Sequence, residues 1–445
     1  MSLNDWDVLL ATCARINPGL TSKNQLRGKS RVSKPCSART SSPLPSSASA
    51  SSAAAASTGG SWGPPAASLH QKLRHPSVKK QELPTAPSTL PSSSSYSGRA
   101  VVTIASDCSG LGSDLLALKK FHRHSHIRHL FASDSSKQCR QVLRQTSPKP
   151  EQIFHDCSSR KRRCMTGSVT IYSAGPPCQP FSTEGQHGGD SDSRNMLQAV
   201  ATNISLLMPK SFIIENVKGL LSKRHRATWQ DLIRRLKNIG DGQGRQAYQV
   251  RWRVINAQDY GTPQNRPRVY VVGILGSASA GQSAFAWPKK RPRTSMKQFL
   301  SQVAAARKSA TPLQATSATT RPLSKTNQRN LTAGLRKLQD LGAGPSTDAI
   351  IDIGHGRTGH VSLMIDRCPT VTRTRAAGQD YWLTSQQRRL SPDEIAALQG
   401  IWPKEGDQLF QGTSMRQRLL MLGNAMPVNV MEALMQATLR ALGVQ

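Results

Sequence analysis

From residue 100 onward the chain alternates two periodicities, and that alternation limits its fold more than any other feature. Short runs rich in β-branched and aromatic residues read as strands: VVTIAS (101–106), HLFASD (129–134), VTIYSAGPP (169–177) and SFIIENV (211–217). Between them lie helical patterns over 113–121, 137–144 and 195–208, the last with Met196, Val200, Ile204 and Leu207 on one face. A further helix over Trp229–Ile239 precedes two more strands, VRWRVIN (250–256) and RVYVVGI (268–274). Strands taking turns with helices predict an α/β fold with a doubly wound, mostly parallel sheet, since each crossover helix returns the chain to the same edge.

The pattern breaks after Ile274. Residues 275–385 scatter Ser, Thr, Ala and Arg with weak periodicity, which predicts an irregular basic insert. Helix returns with SPDEIAALQG, where Ser391 is placed to cap and Pro392 to open the first turn, and a last helix spans about 428–442. At the other end, Ser41–Ser97 is mainly Ser, Ala, Pro and Gly and cannot bury enough apolar surface to offset the entropy of ordering. Four parts follow: a disordered leader (1–97), an α/β core (98–274), the insert (275–385) and a C-terminal segment that rejoins the core (386–445). No additional reading module is expected in the leader, and Asp5 and Asp7 argue against a secretory signal.

Charge narrows the partner. The 445 residues hold 60 Lys plus Arg against 25 Asp plus Glu, a net charge of +35. Only +9 of it lies in residues 1–100, so the ordered part carries +26 and a polyanionic partner is expected. No run approaches the roughly 18 uncharged apolar residues of a membrane span. The eight cysteines form neither CxxC pairs nor zinc spacings with His, so a reducing compartment and no metal are expected.

Five motifs carry possible chemistry. SDCSGLGSD (106–114) is a Gly-rich turn from strand to helix, where Ser106, Asp107, Cys108, Gly110 and Gly112 would let a nucleoside-like ligand approach the backbone. Asp134 and Asp156 end later apolar runs, at points where an acid can accept hydrogen bonds from ribose hydroxyls. In AGPPCQPFS (174–182) the prolines hold Cys178 just past a strand end, in the setting of a nucleophile. FIIENV brings Glu215 to the rim of the sheet behind three apolar residues, so burial and a raised pKa suit it to proton donation. QDYGTPQNRPRVYVVGI alternates Gln264, Arg266 and Arg268, which predicts all three on one face. MLGNAMPVNV (421–430) sets a tight entry into the last helix.

In this order and spacing, GPPCQPFS, IIENV, GTPQNRPRVYVVGI, RRLSPDEIAALQGIWP and GNAMPVNV resemble the motifs of the cytosine-C5 DNA methyltransferases. The resemblance implies a Rossmann-like methyltransferase core, S-adenosylmethionine as cofactor and duplex DNA as partner, with the target cytosine flipped out of the stack. It makes Cys178 the nucleophile that adds to cytosine C6. Glu215 would hold the N3 and amino edge and supply a proton, Arg266 would engage the base carbonyl, and Arg268 would brace the active-site loop beside Gln264. The cofactor would lie against residues 106–114, Asp134, Asp156, Pro177 and Asn424. The first turn departs from the family's pattern. Cys108 stands where the aromatic residue facing the adenine is usual and Ser106 where an acid is usual, with Asp107 as a substitute for that acid.

Within this resemblance, residues 275–385 match a target-recognition region by position and through CPTVTRTR (368–375). A tRNA cytosine-C5 methyltransferase is the alternative within catalysis, and a catalytically silent nucleic-acid scaffold the alternative outside it. The basic runs RKRR (160–163) and KKRPR (289–293) read as import signals, phosphate contacts or plain solvated loop charge, KKRPR leaning to the DNA backbone. A nuclear location is expected, with organellar, prokaryotic or viral origin as alternatives. Nucleic-acid binding should weaken steeply as salt rises, and deleting residues 1–97 should leave most of that slope in place. Filter binding across a salt series measures it; a slope that collapses with the leader would put the binding charge there instead.

Overall fold

A computed structural model describes residues 101–122, 126–158, 167–177, 181, 195–276, 284–310, 322–356 and 361–444. The leader, the RKRR run and Cys178 lie outside the described residues. The first half runs β1 (Val102–Asp107), α1 (Ser113–Lys119), β2 (Ile127–Ser133), α2 (Lys137–Leu143), β3 (Gln152–Phe154), β4 (Ile171–Ala174), α3 (Leu197–Leu207), β5 (Ser211–Val217), α4 (Arg226–Lys237), β6 (Tyr248–Asn256) and β7 (Pro267–Leu275).

These strands form one sheet in the order β3-β2-β1-β4-β5-β7-β6. β1 to β5 are parallel, while β7 runs antiparallel to both β5 and β6. The chain steps outward from β1 to β3, then returns to β4 and steps the other way. The carboxyl ends of β1 and β4 therefore flank a topological switch point, where open α/β sheets offer a crevice. Alternating side chains divide the core. Ile104, Ile171, Ile213, Tyr270 and Val272 join one apolar cluster, and Ala105, Tyr172, Phe212, Ile214 and Val271 join another that includes residues of α3 and α4.

The second half is more regular than its sequence predicts. It contains α5 (Met296–Lys308), α6 (Lys325–Asp340), β8 (Ala349–Asp352), β9 (Ser362–Ile365), α7 (Arg373–Gly378), β10 (Tyr381–Leu383), β11 (Arg388–Arg389), α8 (Pro392–Leu398), α9 (Pro403–Leu409), α10 (Met415–Asn424) and α11 (Val428–Ala441). β8 to β11 make a small antiparallel sheet, order β11-β10-β8-β9, which replaces the irregular insert expected there. Its core is Leu331, Leu335 and Leu338 of α6 against Ile351 and Ile353. The leucines are at helical spacing, but the polar residues between them dilute the signal, and strands this short offer too few alternations to register.

The cap predicted at Ser391 is present. Its hydroxyl accepts from the Glu394 amide at 3.2 Å, the Glu394 carboxylate accepts from the Ser391 amide at 2.7 Å, and Pro392 opens the helix. The C-terminal helices return to the main sheet. α11 packs on α1, the Asn429 side-chain amide donates to the Tyr260 carbonyl at 2.7 Å, and that of Gln399 to the Leu422 carbonyl at 2.7 Å. Among the described residues no helix is long and apolar enough to cross a membrane.

Gly423 in α10 lies so close to α7 that a Cβ would overlap the backbone of Arg373 and Thr372. Backbone cannot swing aside as a side chain can. Gly423→Ala should therefore cost about 1–3 kcal/mol, within the range of core overpacking. Chemical denaturation measures it, and unchanged stability would contradict the packing described here.

Candidate active site

The turn after β1 is built by backbone that L side chains rarely adopt. Cys108, Gly110 and Gly112 have φ of 51°, 57° and 82°. A Cβ on Gly110 would meet nothing within 4 Å, so the crevice is open beside it. Asp134, at the end of β2, sets the turn: its carboxylate accepts from the Gly110 amide and from the Ser136 amide, both at 2.8 Å. Asp156, beyond β3, accepts from the Ser158 amide at 2.8 Å.

The first two polar residues of the motif turn inward. Ser106 is fully buried and donates to the Ser109 hydroxyl at 2.7 Å. Asp107 is fully buried too, and its carboxylate accepts from Ser133 and Tyr172 hydroxyls at 2.6 Å and from the Asn203 amide at 2.8 Å. With these three donors and full burial, Asp107 ties β1, β2, β4 and α3 together within the core rather than facing the crevice as a substitute acid. Asn203 was invisible as a partner in the sequence, being one polar position in a helical pattern. Pro177 is half-buried beyond β4, and Asn424 is exposed at the end of α10.

Glu215 stands on the last turn of the β5 ladder, 8% exposed. The antiparallel register sets Glu215 opposite Tyr270 and Val217 opposite Arg268, so Arg268 is its diagonal neighbour on the same face. The Arg268 Nε lies 3.1 Å from the Glu215 carboxylate. Burial pushes the Glu215 carboxyl above its ordinary range, against the opposing pull of Arg268 and Arg266. Such a group holds a proton longer than an exposed glutamate and has a cation ready for the carboxylate it leaves behind.

The chain on both sides of Cys178 is held near this pair. The Asn216 side-chain amide donates to the Pro176 carbonyl at 3.3 Å. Phe181 is buried with its ring 5.2 Å from that of His225, and its carbonyl abuts Gly219, where a Cβ would overlap it.

The three residues expected on one face divide instead. β7 begins at Pro267, so the twofold alternation does not extend back to Gln264. Gln264 is fully buried, donating to the Leu398 carbonyl at 2.7 Å and accepting from the Val371 amide at 3.0 Å. Arg266 is buried with Nη atoms donating to the carbonyls of Val371 at 2.6 Å and Ala425 at 2.8 Å. Arg266 thus braces the loop before α7 and the entry to α11, and Arg268 is the one beside Glu215. Tyr270, missed in the sequence, is fully buried opposite Glu215.

The KKRPR run carries surface ion pairs while its side chains stay largely exposed, Lys290 at 73% and Arg293 at 62%. Lys290 and Arg293 pair with Asp259 at 2.9 and 3.4 Å, and Arg291 pairs with Glu432 at 3.0 Å. Among the described residues no group of three or more His, Cys, Asp or Glu is placed to hold a metal ion.

The sequence model of the family described as C-5 cytosine-specific DNA methylase matches residues 102–440. Among curated proteins, the Type II methyltransferase M.NlaIV of Neisseria lactamica is 36% identical over 152 residues, covering 33% of this chain and 35% of its own length. The Type II methyltransferase M.BsuFI of Bacillus subtilis is 37% identical over 120 residues, 27% of either chain. The chain spans about a third of the length of these relatives, or less. Both are bacterial and lend no support to the nuclear location expected from the sequence. A solved E. coli prophage protein described as a DNA modification methyltransferase shares the fold at TM-score 0.52 and 18% identity, over 77% of this chain and 99% of its own.

Removing the cation beside a buried carboxylate should raise its pKa further. Carbon NMR titration of Glu215, assigned by its loss in Glu215→Gln, should show a midpoint above the usual glutamate value, and a higher one in Arg268→Met. A midpoint unmoved by Arg268→Met would contradict the pairing.

Proposed function

The chain belongs to the C-5 cytosine-specific DNA methylase family, and from that premise we propose that it methylates C5 of cytosine in duplex DNA. The observation that carries this reading is the buried Glu215–Arg268 pair at the carboxyl edge of the sheet, with Pro176 and Phe181 held beside it. The crevice by Gly110, with Asp134, Asp156, Pro177 and Asn424, fits S-adenosylmethionine because a Cβ on Gly110 would face open space and the Asp134 carboxylate lies beside that turn. When bound, that cofactor supplies an electrophilic methyl group to the substrate carbon.

Cytosine C5 is a weak nucleophile on its own. The Cys178 thiolate adds to C6 and turns the C5–C6 bond into an enamine whose electron pair resides at C5. Glu215, kept protonated longer by its burial, donates to N3 as the adduct forms, and Arg268 stabilises the resulting carboxylate. Arg266 and Gln264 act at one remove, by fixing the loop before α7, the end of α8 and the entry to α11. Loss of the C5 proton to a general base returns the electron pair, breaks the C6–sulfur bond and releases the Cys178 thiolate. A stacked base exposes neither ring face to a thiol, so the cytosine leaves the duplex for this chemistry. Residues 275–385, with their small sheet, are the part we assign to reading the target, beside the catalytic segments 98–274 and 386–445.

Tritiated methyl from S-adenosylmethionine should enter duplex DNA. Cys178→Ala should abolish transfer, and Glu215→Gln should slow it by about 10²–10⁴-fold, the usual worth of a general acid. Label entering only tRNA would contradict the DNA reading, and undiminished transfer by Cys178→Ala would contradict the covalent route.

A further inference from the structure

One edge of the main sheet combines a dense positive charge with an open aromatic ring. Residues 218–253, from the end of β5 through α4 into β6, hold ten Lys and Arg against two acids, Asp231 and Asp241, a net charge of +8. All ten cations are exposed. The two acids are matched within the segment: Asp231 pairs with Arg234 and, at 2.7 Å, with Arg235, and Asp241 pairs with Arg245 at 2.9 Å. β6 is the terminal strand on this side of the sheet, and its Arg251, Trp252 and Arg253 are exposed. Register divides them between the two faces. Arg251 and Arg253 stand opposite Val272 and Tyr270, and Trp252 stands opposite Val271 on the face that α4 covers. The arginines hold the segment that crosses their face: Arg251 Nη1 donates to the Phe285 carbonyl at 2.9 Å, and the Arg253 guanidinium lies 5.2 Å from the centre of the Trp287 ring. On the other face Trp252 meets Trp229 of α4 edge to face, with ring centres 5.2 Å apart, yet remains 47% exposed. Among the described residues no other Phe, Tyr or Trp is left so open.

We propose that α4 and β6 form a binding surface for single-stranded DNA, outside the catalytic crevice, in which Trp252 stacks on a base and cations such as Arg226 and Lys237 of α4 hold the phosphates. Charge alone would suit any polyanion; the ring selects among them. An indole held on a strand within a positive field suits unpaired bases, because every base has a π-face to stack and the cations track the backbone between them. A duplex keeps its base faces stacked on one another, and an acidic peptide would meet the charge while leaving the indole uncovered. Lys218, the first of the ten cations, is three residues beyond Glu215 and directly after β5, so the surface starts at the rim of the candidate active site and leads away along α4. The choice of DNA over RNA rests on the methyltransferase reading; the stacking and the charge do not.

The test titrates the full chain into a fluorescein-labelled twelve-residue oligothymidine and follows anisotropy. The probe contains no cytosine, so the catalytic site has no target in it. Trp252→Leu keeps apolar bulk and loses the π-face; it should weaken binding by about tenfold, and Trp252→Phe should recover most of the loss. Arg226→Gln combined with Lys237→Gln should flatten the slope of log affinity against log salt by about 1 to 2. Unlabelled oligothymidine should displace the probe, and a thymidine–adenosine duplex of the same length should displace it only weakly. Equal binding by the native chain and by Trp252→Leu would overturn the stacking, and an unchanged salt slope in the double variant would overturn the role of α4. Displacement by the duplex as effective as by the single strand would overturn the preference for unpaired DNA. Oligouridine bound through Trp252, with oligothymidine left unbound, would overturn the choice of DNA. Failure of methyl transfer to a duplex would count against the methyltransferase reading, with Trp252→Leu still deciding the stacking.

Discussion

The antiparallel ladder between β5 and β7 is the constraint on which the rest of the site depends. Parallel strands alone would bring only their carboxyl ends to the crevice. By reversing direction, β7 starts where β5 ends, and its first residues stand beside Glu215. The register then makes Arg268 the diagonal partner of Glu215 and Tyr270 its direct opposite. A buried carboxylate without such a cation would be neutral and inert as an acceptor; with it, either protonation state is tolerable. That tolerance is what a group must have to give a proton to a ring and take it back.

A second set of buried polar contacts keeps the two halves of the switch point aligned. Asp107 joins β1 to β2, β4 and α3 through three donors, and Asp134 folds the Gly110 turn from the neighbouring strand. On the other side, Gln264 and Arg266 fasten the segment leading into β7 to α8, to the loop before α7 and to the entry of α11. These residues look like ligands when seen in sequence because they are polar and clustered at strand ends. Their satisfied hydrogen bonds show that much of the polar content of an α/β crevice serves to hold the loops that form it.

The fold of residues 101–275 was legible because strand and helix periodicities are local and strong there. The capping box at Ser391 was equally local. Glu215 could be foreseen from three apolar residues leading to an acid. The division of labour between Arg266 and Arg268 could not, since it turns on where β7 begins, which the intervening proline obscures. Asp107 was expected at the crevice and is locked in the core by Asn203, 96 residues away, a pairing that no spacing announces. α5, α6 and the small sheet were missed because their apolar positions are few and separated by charged and polar residues.

The central claim is that a thiol at Cys178 and the Glu215–Arg268 pair act together on one cytosine. A duplex with 5-fluorocytosine at candidate targets tests it most directly, because fluorine at C5 cannot leave as a proton does and the adduct is trapped. With S-adenosylmethionine present, the account predicts a protein–DNA adduct that survives denaturation and disappears in Cys178→Ala. An intact chain that methylates DNA yet leaves no adduct, or an adduct that persists in Cys178→Ala, would contradict it.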